Sequence, residues 1–323
     1  MTPARKREVL GFGAAIVLVA AVPILSHSGY ILSTGVFIGL HSMPALGLGL
    51  LLGYAGQVSL GHAAFYGLGA YGSAILTLRF GLNPWLAMVL AAAATGLIAY
   101  IVGRPTLKLH GHYLAMATLG FGIIVGILFN EGGDLTGGPS GLPGVPKLGL
   151  GSFSFDSDLR MYCLVWPIVL LQVLLVSNLL RSRLGRAIRA LRDSEVAARS
   201  CAIDTGSTKL LVFVLSAVFA SVAGSLYAHT VNFVNPAPFG FAFSIELMLM
   251  VVVGGAATLW GPVLGAAALT IIAQLLVNLG GIFPPVKDLD APAFGVILVM
   301  ILLFRPQGLA SLFARKERAA DAD

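Results

Sequence analysis

Charge is what this sequence has least of. Asp, Glu, Lys and Arg make up 11% of its 323 residues, against 57% hydrophobic residues and a mean hydropathy of +0.92. Soluble domains carry about 25% charged and 45–50% apolar residues. This much apolar side chain exceeds what a water-exposed domain can hide, so the excess faces lipid. Cysteine is almost absent: Cys163 and Cys201 have no metal-ligand spacing and imply no disulfide framework. The span order below sets them on opposite sides of a bilayer or nearly so, too far apart to bond, and both read as small packing residues. Catalytic motifs are missing too. "TGSTK" at 205–209 lacks the second glycine and the spacing of a phosphate loop. His110 and His112 lie two apart in a turn, on no shared helix face. "GQVSLG" at 56–61 resembles a serine-hydrolase elbow only loosely and has no strand–turn–helix around it. Nucleotide hydrolysis, metal catalysis and acyl transfer are therefore not expected of this chain, and a membrane enzyme is a rival reading without a ligand or nucleophile constellation.

What is present is a series of long apolar runs. They fall at about 9–27, 30–52, 58–78, 85–103, 113–130, 159–180, 209–229, 243–260, 262–280 and 289–304, ten stretches near the ~20 residues that cross a bilayer. The first, after "TPARKRE", resembles a signal peptide, but its apolar run is long and no A-x-A site follows, so it reads as a retained helix. The net charge of +6 reflects loops on one side of a membrane rather than a nucleic-acid partner. With the N-terminus inside and ten spans threaded, sixteen Lys and Arg fall inside and four (Arg79, Lys147, Arg160, Lys287) outside. That asymmetry follows the positive-inside rule and puts both termini, with a tail at 305–323, in the cytoplasm. The fold class is an all-α polytopic membrane protein, a single domain over 1–323.

Two loops stand out. Residues 131–158, on the outside, hold eight glycines and three prolines, which favours turns over regular structure. Residues 181–208, on the inside, read as a short amphipathic helix followed by "DTGST". Leu184, Ile188, Leu191, Ala198 and Ala202 form its apolar stripe, and Arg189/Asp193 and Glu195/Arg199 are opposite charges four apart. A stripe on such a loop needs something to pack against.

The third run is unlike its neighbours. "GYAGQVSLGHAAFYGLGAYG" (53–72) packs six glycines around Gln57, Ser59 and His62. A phosphate loop is ruled out because a membrane span precedes it; a broken, re-entering helix and a closely packed one remain. Small residues four apart, at Gly35/Gly39, Gly49/Gly53 and Gly122/Gly126, suit close helix approach in lipid. His41 and Pro44 suggest a kink in the second run. Glu246 lies in the eighth, about one turn from its outer end, so an interfacial position competes with an intramembrane one.

"GYAGQVSLGHAAFYGLGAY", "YLAMATLGFG", "DLTGGPSGL", "LGRAIRALRDSEVAARS", "KLLVFVLSAVFASVAGSLYA" and "FRPQGL" occur in this order. Together they resemble the LivM-type permease subunits of branched-chain amino acid ATP-binding-cassette importers, over about residues 30–309. The resemblance implies a bacterial inner-membrane subunit paired with a related LivH-type permease. It also implies two ATPase subunits (LivG- and LivF-type) and a periplasmic amino-acid-binding protein. ATP and Mg2+ then belong to those partners, and this chain binds no cofactor. The 181–208 segment corresponds to the family's coupling helix, with Arg186, Arg189, Asp193, Glu195, Ala198 and Arg199 as coupling residues. Glu195, Ala197 and Ala198 match its acidic-Ala-Ala core, and Ala202 stands where many relatives have glycine. The outer loop at 131–158 becomes a candidate contact for the binding protein. A zwitterionic substrate needs donors, acceptors and apolar room, which broken helix ends and small residues supply near mid-membrane. Gln57, Ser59, His62, Phe65 and Tyr66, with Glu246, are the substrate-path candidates. Permeases of similar sequence for urea, short amides or aromatic acids, and a stand-alone secondary transporter or channel, are the rival readings.

Overall fold

The computed structural model describes residues 12–13, 16–17, 19–23, 28–150 and 153–282. The run at 289–304 and the tail at 305–323 lie outside the described residues, as does most of the N-terminal segment before residue 28. Among the described residues the principal helices are α1 (Gly29–Gly49), α2 (His62–Phe80), α3 (Pro84–Thr106), α4 (His112–Glu131), α5 (Asp158–Arg181), α6 (Arg183–Asp193), α7 (Glu195–Ser200), α8 (Thr205–Val231), α9 (Phe241–Gly254) and α10 (Gly261–Ile282).

Six of these helical stretches are long and apolar enough to cross a membrane: α1 with its extension to Tyr54, α3, α4, α5, α8, and α10 to Asn278. Their bounds sit within a few residues of the apolar runs, because burial of a continuous helix needs continuous apolar sequence. The expected ten spans are not reached among the described residues. The run at 58–78 becomes α2, which starts only at His62 and carries too many small and polar residues to match the other spans. The run at 243–260 yields the 14-residue α9 and then a non-helical turn, Gly255–Trp260.

Burial orders the bundle. The spans of α1 and α8 are 78% and 61% buried, whereas α3, α4 and α5 are only 33%, 22% and 33% buried and present Leu97, Ile101, Ile124, Leu128 and Leu171 outward. α2 lies in the interior, in contact mainly with α8 and α3. Its crossing with α8 is set by glycines: the Gly69 Cα rests on the Ser221 backbone and the Gly224 Cα on the Tyr66 carbonyl, where any Cβ would collide. Ser225 Oγ donates to the Gly69 carbonyl at 3.0 Å across the same contact. Gly35 and Gly39 likewise admit Tyr162 and Val165 of α5, while Gly126 faces open space. α1 continues through Pro44 and widens only at its end, into a π-turn at Leu50–Tyr54.

The two long loops occupy opposite ends of α8, a 27-residue helix about 40 Å long at ~1.5 Å per residue. At its far end the 131–158 loop has more structure than glycine and proline led us to expect. Strand β1 (Leu142–Pro143) pairs with β4 (Phe233–Val234), and β2 (Gly149–Leu150) with β3 (Phe153–Ser154). His229 lies 2.6 Å from the Pro146 carbonyl, Asn232 donates to Val145 and Trp85 to Gly149, so the loop is tied to the bundle. Both cysteines are exposed, not packed as expected from their size.

Candidate functional site

The glycine-rich stretch breaks the helical path. After the π-turn, Gly56 takes φ +68°, a left-handed conformation that glycine adopts without strain, and Gln57 N–H returns to the Leu51 carbonyl at 3.0 Å. Residues 57–61 are then neither helix nor strand. Their backbone is satisfied by neighbouring hydroxyls: Leu60 N–H donates to Thr118 Oγ1 and Ala63 N–H to Ser244 Oγ, each at 3.0 Å. This is irregular backbone enclosed by protein, the one setting in which a membrane bundle tolerates it.

The side chains of this stretch are a different matter. Gln57, Ser59, His62 and Tyr66 are 4%, 2%, 0% and 1% exposed. Among the described residues, both Gln57 amide atoms, Ser59 Oγ, both His62 ring nitrogens and Tyr66 Oη have no hydrogen-bond partner. Buried polar groups are normally paired, because each unpaired one costs about 1–3 kcal/mol. With Tyr71, 2% exposed and also unpaired at Oη, five such residues fall within 53–72. Phe65 is set apart from them in character: it packs on Phe121 and Phe213 at ring-centroid distances of 5.1 and 5.4 Å and serves as core. Tyr66 belongs to an aromatic group with Tyr227, Phe239 and Phe243.

For Glu246 the sequence left an intramembrane and an interfacial position open. Ser244, near the start of α9, already bonds to the backbone at the start of α2, and Phe239 just before α9 packs on Gly67 and Tyr71. α9 therefore begins deep in the bundle. Glu246 shares a cavity with His41, near the middle of α1, and with Thr270, near the middle of α10, which favours the intramembrane position. His41, read from sequence as part of a kink, instead has Nδ1 3.1 Å from Thr270 Oγ1. A histidine inside an apolar run was the available signal; its partners from α9 and α10 were not.

At the near end of α8, the 181–208 segment folds as two helices rather than one. Ser194 is extended (φ −162°, ψ 117°) between α6 and α7, and its hydroxyl caps α7 by accepting from Ala197 N–H at 3.3 Å. Of the apolar stripe, Ile188, Leu191 and Ala198 are buried as required, whereas Leu184 and Ala202 are exposed and Gly185 is buried in place of Leu184. Arg186, Arg189 and Asp193 face outward, and Arg189 and Asp193 form no ion pair among the described residues. The Glu195/Arg199 pair does form, at 2.7 Å, and Glu195 gathers two further partners: Lys209 Nζ at 2.6 Å and His110 Nε2 at 3.1 Å. Partial burial pushes the Glu195 carboxyl up, but the bonds from Lys209 and Arg199 outweigh it and hold its pKa below the ordinary value. Lys209 is 7% exposed and ties α7 to the first turn of α8; the sequence offered it only as one basic residue among many. α7 ends with Ile203 N–H on the Ala198 carbonyl and Ala202 N–H on the Arg199 carbonyl, and Ala202 takes φ +58°. The chain thus makes the left-handed exit that glycine eases, with alanine in its place. Arg192 of α6 lies against Gly56, so this segment touches the broken stretch directly.

Six long apolar helices, with two short helices at one end of the bundle, make this a multi-pass helical membrane protein. The chain belongs to the family described as branched-chain amino acid transport system / permease component, whose model matches residues 30–305. It is 32% identical to the high-affinity branched-chain amino acid transport permease LivM of Salmonella typhimurium, over 94% of this chain and 75% of that one. Identity to the Escherichia coli LivM is the same over the same shares. The Escherichia coli permease LivH is 25% identical over 83% of this chain and 90% of its own length. No solved structure matches the chain. Among the described residues no group of three or more His, Cys, Asp or Glu is placed to hold a metal ion.

Proposed function

We propose that this chain is the LivM-type permease half of an ATP-driven importer for branched-chain or related hydrophobic amino acids, seated in the bacterial inner membrane with both termini in the cytoplasm. It pairs with a LivH-type permease and binds no cofactor itself. Two ATPase subunits hold ATP and Mg2+, and a periplasmic binding protein delivers substrate, with the 131–158 loop as its contact. The observation that carries this reading is the α6–α7 pair. Its outward face carries Arg183, Arg186, Arg189 and the 77%-exposed Val196, a surface in want of a partner, while Glu195 and Lys209 pin its inward side to the bundle. A helix pair docked in an ATPase cleft and fixed to α8 passes on subunit movement as a rigid body. Through Arg192 and Gly56 that movement reaches Gln57, Ser59 and His62, which with Tyr66 form the polar part of the substrate path, and Phe65 its wall.

The test is reconstitution into proteoliposomes, with uptake of radiolabelled leucine as readout. The chain alone is expected to move no leucine, and the assembly with its second permease, ATPases and binding protein to do so only with ATP. Uptake by the chain alone would overturn the reading in favour of a stand-alone carrier. ATP-driven uptake of urea or benzoate in place of leucine would keep the machine and change its cargo.

A further inference from the structure

The cavity between α1, α9 and α10 has about 200 Å³ of free volume. It is smaller than the ~300–1,000 Å³ of sites for drug-sized molecules. Its polar lining is Glu246, His41, Thr270 and Gln274, and its apolar lining includes Phe37 and Met250. Ser244 and Glu246, two residues apart on α9, point to different sides: Ser244 bonds to α2, and Glu246 faces α1 and α10. This cavity is therefore separate from the broken stretch.

A lone carboxylate at this depth is expensive unless a partner neutralises it. Among the described residues Glu246 has no ion pair or hydrogen bond, and Gln274 has no hydrogen bond. We propose that this cavity is a binding site for a zwitterionic amino acid, with Glu246 receiving the ammonium group and His41 and Gln274 the carboxylate. The proposal deepens the permease reading and rests on it. In the tautomer that accepts from Thr270 at Nδ1, the His41 ring proton is on Nε2 and supplies a donor to the carboxylate alongside the Gln274 amide. Phe37 and Met250 then receive the branched side chain, methionine adapting its shape to either leucine or isoleucine. A metal cation is a poor alternative, since one carboxylate falls short of the six to eight oxygens that calcium takes. An amine without a carboxylate would leave His41 and Gln274 unanswered.

The test uses the complete reconstituted transporter and two variants. Glu246→Gln keeps size and removes the charge; Met250→Trp fills the cavity and leaves the charge. Both are expected to lower leucine uptake about tenfold or more, with ATP hydrolysis stimulated by the binding protein retained. Glu246→Asp should recover part of the loss that Glu246→Gln causes, which a packing defect would not. Full uptake in Glu246→Gln and Met250→Trp would overturn the proposal and leave the permease reading intact. So would failure of Glu246→Gln to copurify with the second permease, because Glu246 would then be answered by a cationic side chain of that subunit. A wild-type assembly that moves no amino acid would overturn the permease reading, and the site with it.

Discussion

Glu195 and His62 are both polar groups withdrawn from water, and they sit in opposite circumstances. Glu195 lies at one end of the bundle with Lys209, Arg199 and His110 all within 3.1 Å. His62 lies in the interior, fully buried, with neither ring nitrogen bonded among the described residues, and Gln57, Ser59 and Tyr66 around it in sequence share that condition. A satisfied cluster fixes one arrangement, because every alternative leaves a charge uncompensated. An unsatisfied one lowers stability and keeps donors and acceptors available to a solute. Under the function proposed above, the first region would transmit movement and the second would receive the solute.

The comparison breaks most visibly at Glu195. Glu195→Ala leaves the Lys209 ammonium buried without its counter-charge and is expected to cost about 3 kcal/mol, read as a fall in the midpoint of thermal unfolding in detergent. The same variant should also lose ATPase copurification, since α7 is no longer held to α8. In the interior the sign reverses. Gln57→Leu and His62→Leu each remove groups that have no partner, so stability should hold or rise by about 1 kcal/mol while leucine uptake falls tenfold or more. A large loss of stability in either variant would mean that these residues are structural and would erase the contrast. Ala202→Gly relieves the left-handed position at the end of α7 and should stabilise by about 1 kcal/mol, measurable in the same melts. The smallest effect is that of pH. The folded Glu195 carboxyl titrates below its ordinary value of 4.5, so its contribution is complete above that value and is lost as pH falls through the folded pKa. Melting midpoints of the wild type should drop more steeply on acidification than those of Glu195→Gln.

How much of this could be read in the chain itself varies by element. The bounds of α3, α4, α5, α8 and α10 follow the apolar runs closely, because a lipid-facing helix shows its length as unbroken hydropathy. α2 and α9 are less legible. α2 is sheltered by other helices and needs no apolar surface of its own, and α9 is shorter than the run that contains it because Gly255 ends it, at φ +110°. Within 181–208 the helical period exposed Ile188, Leu191 and Ala198 as the inward face. It hid the break at Ser194, where a serine followed by an acidic residue begins a new helix and the apolar spacing continues across the join. Among the candidate path residues, Gln57, Ser59 and His62 stood out as polar groups in a run of small and apolar ones, and all three are buried and unpaired, as is Tyr66. Phe65, the apolar candidate beside them, is buried against Phe121 and Phe213.

The sequence by itself determined that the chain carries more apolar side chain than a water-exposed domain can hide, and where most of its helices begin and end. These are matters of composition and periodicity, and they need no knowledge of what touches what. Only the tertiary structure decided that Glu246 sits beside His41 and Thr270, that Lys209 belongs to Glu195, and that Arg192 reaches Gly56. Each is a contact between segments remote in sequence or separated by a turn. The meaning of a polar residue in a membrane depends on whether such a contact answers it, and no local pattern encodes that.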